Sequence, residues 1–299
     1  MSSKIGAFLL LEKIVLKPLE RALYFMRGVR GFRRIDLLFT SKYLLNRRVS
    51  FVCELQGFKI NLLSNPSDDL FSLLRSNKLS RWEPGSLELW ASICQRSSFV
   101  IDIGAYSGIY SILAAKKGVA NVISVEPNPN TRDRLRRNLA LNRIETCTVI
   151  SSPLGNESGI KLGLYVPASS LMPSGMRLES SGARYLDSHS HTVIIDNETW
   201  LRVEIHETSK LDDLVNKDQP INAMKIDAEG MEIQVLKGSE EILRKFKPHL
   251  IIETWSNETT KSLNKYLKSF GYNDGILIDD HEYNKLASNI YFPGASIDN

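Results

Sequence analysis

Cysteine is scarce in this chain: Cys53, Cys94 and Cys147 are the only three in 299 residues. They are odd in number, widely spread, and none belongs to a C-x-x-C pair. A disulfide framework and a zinc ribbon are therefore excluded, and a reducing compartment fits. Long apolar runs are missing too, so no stretch reads as a membrane-spanning helix. The apolar run Ile5–Leu11 ends at Glu12-Lys13 with no small-residue cleavage site after it, which is not a secretory leader. The expected location is the cytoplasm. Internal repeats and low-complexity tracts are also lacking. What is there, 42% hydrophobic, 24% charged and 8% aromatic residues, is ordinary for a soluble globular protein.

Charge is unevenly placed. The net charge is +4, yet residues 1–50 hold eleven Lys/Arg against Glu12, Glu20 and Asp36, so the rest of the chain carries −4. From Lys4 to Arg27, Phe8, Leu11, Val15, Leu19, Leu23 and Met26 recur at helical spacing with charges on other faces. The spacing predicts a basic amphipathic helix, with a break or kink at Pro18. Peripheral contact with an anionic membrane is one reading of it. A helix packed on the domain with a solvated charged face is the plainer one.

Beyond this extension (1–48), the hydrophobic pattern predicts a hairpin, Val49–Leu55 with Phe58–Leu63 around Gln56-Gly57, and two short helices, Ser67–Arg75 and Pro84–Cys94. These make up a lead-in region, 49–97. From residue 98 onward short apolar runs alternate with helical patterns. Strands at Phe99–Ile103, Asn121–Glu126 and Thr146–Ser151 are separated by helices at Ile109–Lys117 and Asn130–Asn142. A segment at about 152–207, dense in Gly, Ser and Pro, interrupts the alternation. Gly159–Val166, Thr192–Asp196 and Leu201–His206 read as added antiparallel strands within it. Alternation then resumes with Ser209–Val215 (helix), Ile221–Asp227 (strand), Glu232–Phe246 (helix), His249–Glu253 (strand) and Glu258–Phe270 (helix), and ends in strands Tyr272–Ile278 and Asn289–Phe292. The class is α/β, a mostly parallel sheet with helices on both faces.

The first strand ends in Gly104-Ala105-Tyr106-Ser107-Gly108. Ligands in such sheets bind at the carboxyl ends of the strands, where the strand order reverses. A dinucleotide fingerprint would need glycine at 106 and 109, which are Tyr106 and Ile109, and no G-x-x-x-x-G-K-[ST] loop occurs. Glu126 ends the next strand, 22 residues beyond Gly104, where a carboxylate can accept bonds from both hydroxyls of a ribose. A glycine turn and a ribose carboxylate without a phosphate grip point to S-adenosyl-L-methionine. Asp102 and the 104–108 turn would orient its methionyl end, Glu126 the ribose, and Ser152 with its neighbours the adenine.

A second cluster closes a later strand: Lys225-Ile-Asp-Ala-Glu-Gly230. Asp227 and Glu229 there would face the methyl-donor end, and either would assist removal of a proton from an acceptor hydroxyl. Asp227 as a cap for the following helix is the competing reading. Glu253 reads as a solvated strand end or a helix cap rather than as a magnesium ligand with Asp227 and Glu229, and no metal site is expected. His189 and His191, in the interrupting segment, are more simply exposed loop residues than general bases. His206 and His249 read as structural. The Arg132–Arg137 cluster reads as a solvated helix face.

Four passages of the chain resemble the FkbM-type methyltransferases: VIDIGAYSGIYSILA (100–114), SVEPNPNTRDRLRRNLALN (124–142), LDDL (211–214) with KIDAEGMEIQVLKG (225–238), and PHLIIE (248–253). The likeness spans about residues 50–292, and the KIDAEG passage is its most specific part. It implies a class I methyltransferase (Rossmann-like) fold with seven strands, and O-methylation of glycans, lipids or natural products. Two departures stand out: Tyr106 where the family often has Asn, and Pro153 where Ala is usual. The expected reaction is in-line displacement at a sulfonium methyl, driven largely by positioning. The acceptor would be a small molecule, glycan or lipid, its pocket shaped by residues 57–90 and the 152–207 insert.

Two other readings stand beside this one. One is a catalytically silent protein on this scaffold, acting as a membrane-surface or assembly partner. The other is an RNA methyltransferase. Against the second stand the net −4 beyond residue 50, unsuited to phosphates, and a strand end of Asp-Ala-Glu-Gly rather than the Asn/Asp-Pro-Pro-aromatic tip used on base amines. No nucleic-acid partner is therefore expected.

Overall fold

The computed structural model describes residues 49–64, 69–167, 184–186, 192–195, 198–254, 256–278 and 287–294. The predicted amphipathic helix 4–27 and the histidines His189 and His191 lie outside the described residues. No described helix is long and apolar enough to cross a membrane.

Seven strands form the central sheet: β3 (Phe99–Ile103), β4 (Asn121–Val125), β5 (Cys147–Ile150), β10 (Ala223–Ile226), β11 (His249–Thr254), β12 (Ile276–Ile278) and β13 (Ala287–Tyr291). Their order is β12-β13-β11-β10-β3-β4-β5. The five strands from β11 to β5 run parallel, and β13 is antiparallel to both of its neighbours. The seven-stranded, mostly parallel sheet expected from the sequence is present. The chain steps from β3 outward to β5 and then returns to place β10 on the other side of β3. That reversal creates the crevice in which such sheets hold ligands.

Every residue of β3 and β10 is buried, which is why both read as unbroken apolar runs with one charged residue each. Alternate residues face opposite sides. Val100, Val122, Ala223 and Ile251 join a core with α1 (Asp69–Arg75), α2 (Pro84–Cys94), α3 (Ile109–Lys116) and α4 (Pro129–Leu141). Ile101, Ile103, Met224, Ile226, Leu250 and Ile252 join a second core with α5 (Leu211–Leu214), α6 (Glu232–Lys237), α7 (Glu240–Phe246) and α8 (Asn257–Lys268). Each fully buried Leu or Ile contributes roughly 1.5–3 kcal/mol by leaving water.

The hairpin β1 (Val49–Leu55) and β2 (Phe58–Ser64) turns through Gln56 and Gly57, both at positive φ (47° and 82°). Positive φ at both central residues is the turn that matches strand twist. It docks on α4 through two asparagines one turn apart. Asn142 accepts from the Asn61 N–H at 2.9 Å and donates to the Asn61 carbonyl at 2.7 Å. Asn138 accepts from the Leu63 N–H at 2.7 Å.

The interruption after β5 is a separate four-stranded antiparallel sheet: β6 (Lys161–Pro167), β7 (Arg184–Leu186), β8 (Thr192–Ile195) and β9 (Glu198–Glu207), in the order β7-β6-β9-β8. Of these, β7 is too short to leave a pattern in the sequence. The two ends of the insert are tied together: Gly155 N–H donates to Ser209 O, and Ser209 N–H to Pro153 O, both at 3.0 Å.

One expected helix is two. The run 232–246 breaks between α6 and α7, at Gly238-Ser239. Asp212 of α5 accounts for the break, because its carboxylate accepts from the Glu241 and Ile242 N–H groups at 2.9 and 3.1 Å and so caps α7. A β-carbon at Gly238 would lie 2.1 Å from the Gly155 carbonyl oxygen, so only glycine lets the bend approach the base of the insert. Asp212→Ala is expected to cost about 1–2 kcal/mol in urea unfolding, the usual worth of a helix cap. A loss within about 0.3 kcal/mol of zero would show that the cap carries no stability.

Candidate active site

The carboxyl ends of five parallel strands are level. Ile252, Ile226, Ile103, Val125 and Ile150 are successive register partners across β11, β10, β3, β4 and β5. The residues that follow them, Glu253, Asp227, Gly104, Glu126 and Ser151, form one row along the crevice. At its centre the backbone is tightly packed: a β-carbon at Gly104 would lie 1.7 Å from the Asp227 carbonyl oxygen, and φ there is +76°. The N–H groups of Gly104 and Ala105 both donate to Val125 O.

The turn then needs two more left-handed residues, Tyr106 (φ 50°) and Gly108 (φ 88°). Asparagine tolerates that conformation better than tyrosine, which gives a physical reason for the family's usual Asn at this position. Here Tyr106 is held by its surroundings. Its N–H donates to Glu126 Oε2 at 2.9 Å, and the Arg134 guanidinium lies over its ring at 4.5 Å. Asn138 donates to Ser107 O at 2.8 Å, so one side chain fixes both the turn and the hairpin.

Arg134 corrects the expectation of a solvated arginine face: it is fully buried, while Arg137 stays exposed beside Asp133. Arg132 donates to the carbonyls of Glu126 and Pro127. Glu126 is itself buried, with Oε1 accepting from the Asn128 N–H at 2.9 Å. Burial pushes its carboxyl up to about 7, against the two backbone N–H groups and the nearby Arg134 and Arg132, which favour the charged form. Each carboxylate oxygen keeps a second lone-pair site for an incoming hydroxyl.

Behind this row, on the face covered by α2 and α3, lies a second polar line. Lys225, Asp102 and Ser124 are register partners on β10, β3 and β4. Ser111 of α3 donates to Asp102 Oδ2 at 2.6 Å and also meets the Ser124 hydroxyl. Burial raises the Asp102 pKa, against the opposing effects of Lys225 and Ser111. Among the described residues, Asp102 Oδ1 and Ser107 Oγ are buried without a hydrogen-bond partner. Such groups are costly unless something supplies a partner; Asp102 lies two residues before the glycine turn and Ser107 within it.

Lys225 is buried and pairs with Asp227 Oδ2 at 2.9 Å. Its ammonium lies 4.9 Å from the centre of the Tyr110 ring, and Tyr110 donates its hydroxyl to Glu83 Oε2 at 2.6 Å. Burial opposes the charge on Lys225, but Asp227, Glu83, Asp102 and Glu253 outweigh it and hold the ammonium above its ordinary value. Glu253 is buried rather than solvated, which corrects the sequence expectation. Burial first, then the charge and hydrogen bond of Asp227, drive its carboxyl well above the ordinary range. The cap on the loop after β10 is Glu232, which accepts from the Ala228 and Gly230 N–H groups at 3.1 and 3.0 Å. Asp227 is thereby left to the crevice.

The structure thus places Gly104, Ala105, Tyr106, Ser107, Gly108, Glu126 and Asp227 along or next to the row of strand ends, with Asp102 buried behind it. Glu229 follows Asp227 in a left-handed conformation (φ 53°). Ser152 lies just past the tip of β5, with its hydroxyl donated to Glu207 O at 2.8 Å and close to the Ser209 hydroxyl, so it closes the insert. Sequence reasoning missed Lys225, Tyr110, Glu83 and Arg134, and undervalued Glu253. The signal for Lys225 and Glu253 was strand parity: residues 223, 225 and 227, like 251 and 253, alternate onto the same face as 100, 102 and 104.

Residues 102–273, more than half of the chain, match the family model described as the methyltransferase FkbM domain. Methyltransferase sdnD of Sordaria araneosa is 27% identical over 174 residues, covering 52% of this chain and 66% of that protein. The ribosomal protein L11 methyltransferase of Aliivibrio fischeri (strain MJ11) is 27% identical over 127 residues, 35% of this chain and 43% of its own length. The crystal structure of methyltransferase FkbM from Methylobacillus flagellatus KT superposes with a TM-score of 0.44 at 21% identity, over 66% of this chain and 43% of that one. The chain thus spans less than two thirds of these proteins, but its match to the family model covers the glycine turn, the Glu126 strand end and the Asp227 strand end together. It belongs to the FkbM methyltransferase domain family.

Proposed function

We propose that this protein is an S-adenosyl-L-methionine-dependent methyltransferase acting on a hydroxyl group of a glycan, glycolipid or small natural product. The observation that carries the reading is the glycine turn at the reversal of strand order, with Glu126 level with it on the next strand and no phosphate-binding loop. The orphaned Asp102 Oδ1 and Ser107 Oγ suit a ligand bringing polar groups of its own. Asp102 and the 104–108 turn would hold the methionyl end, Glu126 the ribose, and the chain around Ser152 the adenine.

When bound, S-adenosylmethionine supplies a methyl group on a positively charged sulfur. The chain's own contribution is to place and to neutralise. The row of strand ends fixes one side of the crevice rigidly, since five strands in register cannot shift one at a time. Acidic side chains along that row favour a cation above it. Asp227, partly exposed and paired with Lys225, would accept the proton of the acceptor hydroxyl. The acceptor would be shaped by the lead-in region 57–90 and the 152–207 insert, neither of which supplies strands to the central sheet.

Glu126→Gln is expected to weaken binding of S-adenosylhomocysteine by about 10- to 100-fold in calorimetry, as for a lost charged hydrogen bond. In the wild type, ribose hydroxyls would favour the ionised carboxylate. Affinity should then rise as pH climbs toward about 7 and level off above it, and the variant should lose that slope. Wild-type affinity in the variant would refute the ribose assignment. Asp227→Asn should lower labelled methyl incorporation into glycan, lipid or small-molecule extracts by about a hundredfold or more, with cofactor affinity nearly unchanged. Full activity in that variant would remove the proposed role.

A further inference from the structure

Asp227 and Glu253 stand side by side because Ile226 and Ile252 are register partners at the ends of β10 and β11. Burial and the neighbouring Asp227 carboxylate hold the Glu253 carboxyl well above its ordinary range. Two carboxyl groups on adjacent strand ends, one of them buried, resist ionising together, so one of the two holds a proton. The more deeply buried Glu253 is the natural holder, since Asp227 is the one paired with Lys225, at 2.9 Å.

The groups facing the pair come from every neighbouring element. They are Lys225 on β10, Glu83 at the start of α2 and Asp102 on β3, with Glu232 on α6. Tyr110 on α3 commits its hydroxyl to Glu83, and β13 sets only Ser288 across from Glu253. Among these groups Lys225 is the one cation, set against five carboxyl groups. A second positive charge arriving in the crevice therefore acts on the proton of this pair in the same sense as Lys225, favouring its loss.

Resting on the methyltransferase reading above, we propose that the Asp227–Glu253 pair is a proton store whose content follows the charge of the bound cofactor. It yields the shared proton to solvent as the sulfonium binds. It takes up the acceptor's hydroxyl proton as the sulfur becomes neutral. The bonds balance without any further reagent. The S–CH3 bond breaks with its electron pair left on sulfur, the O–CH3 bond forms, and the O–H proton passes to the carboxyl pair. The pair in the product complex is then back in the state of the free protein.

The consequence is a pH-dependent preference. Proton binding and cation binding at this pair oppose each other, so raising the pH favours the cationic cofactor over its neutral product. The test measures dissociation constants of S-adenosylmethionine and S-adenosylhomocysteine by calorimetry between about pH 6 and pH 9, in the full chain and in Glu253→Gln. Glutamine keeps the shape and the donor of a protonated glutamate but cannot titrate. In the wild type the preference for S-adenosylmethionine should grow with pH, by about tenfold for each unit by which the cation depresses the pair. In the variant the preference should follow only the ligands' own amino groups, since the Glu126 titration acts on both ligands alike and cancels in the ratio. The same pH course in both proteins would overturn the proposal. If neither ligand binds at any pH, the methyltransferase reading falls and the proposal with it. A measurement on the wild type alone guards against a misfolded variant. In infrared difference spectra, S-adenosylmethionine should bleach a protonated-carboxyl C=O band that S-adenosylhomocysteine leaves in place, and a band unchanged by both would sink the idea.

Discussion

The contact on which this structure depends is between two pieces of backbone. The Asp227 carbonyl occupies the space a β-carbon would need at residue 104. With glycine there, the ends of β3 and β10 close on each other at the point where the chain reverses its direction across the sheet. The turn that follows, the Asp227 carboxylate and the level row of strand ends are all placed by that approach. An alanine would have to push the strand ends apart, and its φ of +76° would be strained even in open space.

The charged residues inside the sheet are the costly part of the design. Lys225 and Asp102 sit in strands that are otherwise apolar and buried on both faces, and desolvating such groups costs several kcal/mol each. What offsets it is mutual satisfaction: Lys225 on Asp227 and over Tyr110, Asp102 on Ser111, Tyr110 on Glu83. Aliphatic residues would pack these positions at less cost. The polar line runs directly behind the crevice, so its expense is concentrated where charge is useful and not spread through the core.

Much of this was legible in the sequence, for reasons that differ by element. Buried parallel strands announce themselves as apolar runs, and the hairpin through Gln56-Gly57 and helix Pro84–Cys94 carry local signals that nothing overrides. Gly104, Gly108, Glu126 and Asp227 could be found because their spacing reflects backbone geometry within one strand–turn–helix unit. What stayed hidden depends on partners far along the chain. The break at Gly238 is imposed by Asp212 and by the backbone of Gly155, and nothing local in 232–246 reveals either. Arg134 looks like its neighbours Arg132, Arg136 and Arg137 until Tyr106 is seen beneath it. Glu83 lies well before the glycine turn and is tied to the site by the Tyr110 hydroxyl.

The insert between β5 and α5 leaves and rejoins the body at a single seam. Ser152 to Gly155 lie against Glu207 to Ser209, and the first and last of its long strands, β6 and β9, are paired along their length. Because its ends already touch, the span between them is bounded by the same few bonds whatever its length or composition. Lengthening it costs little in closure entropy, since that grows only slowly with loop size. This part of the molecule is therefore an exchangeable cassette. Its length or composition can change while the strand ends beneath keep their positions.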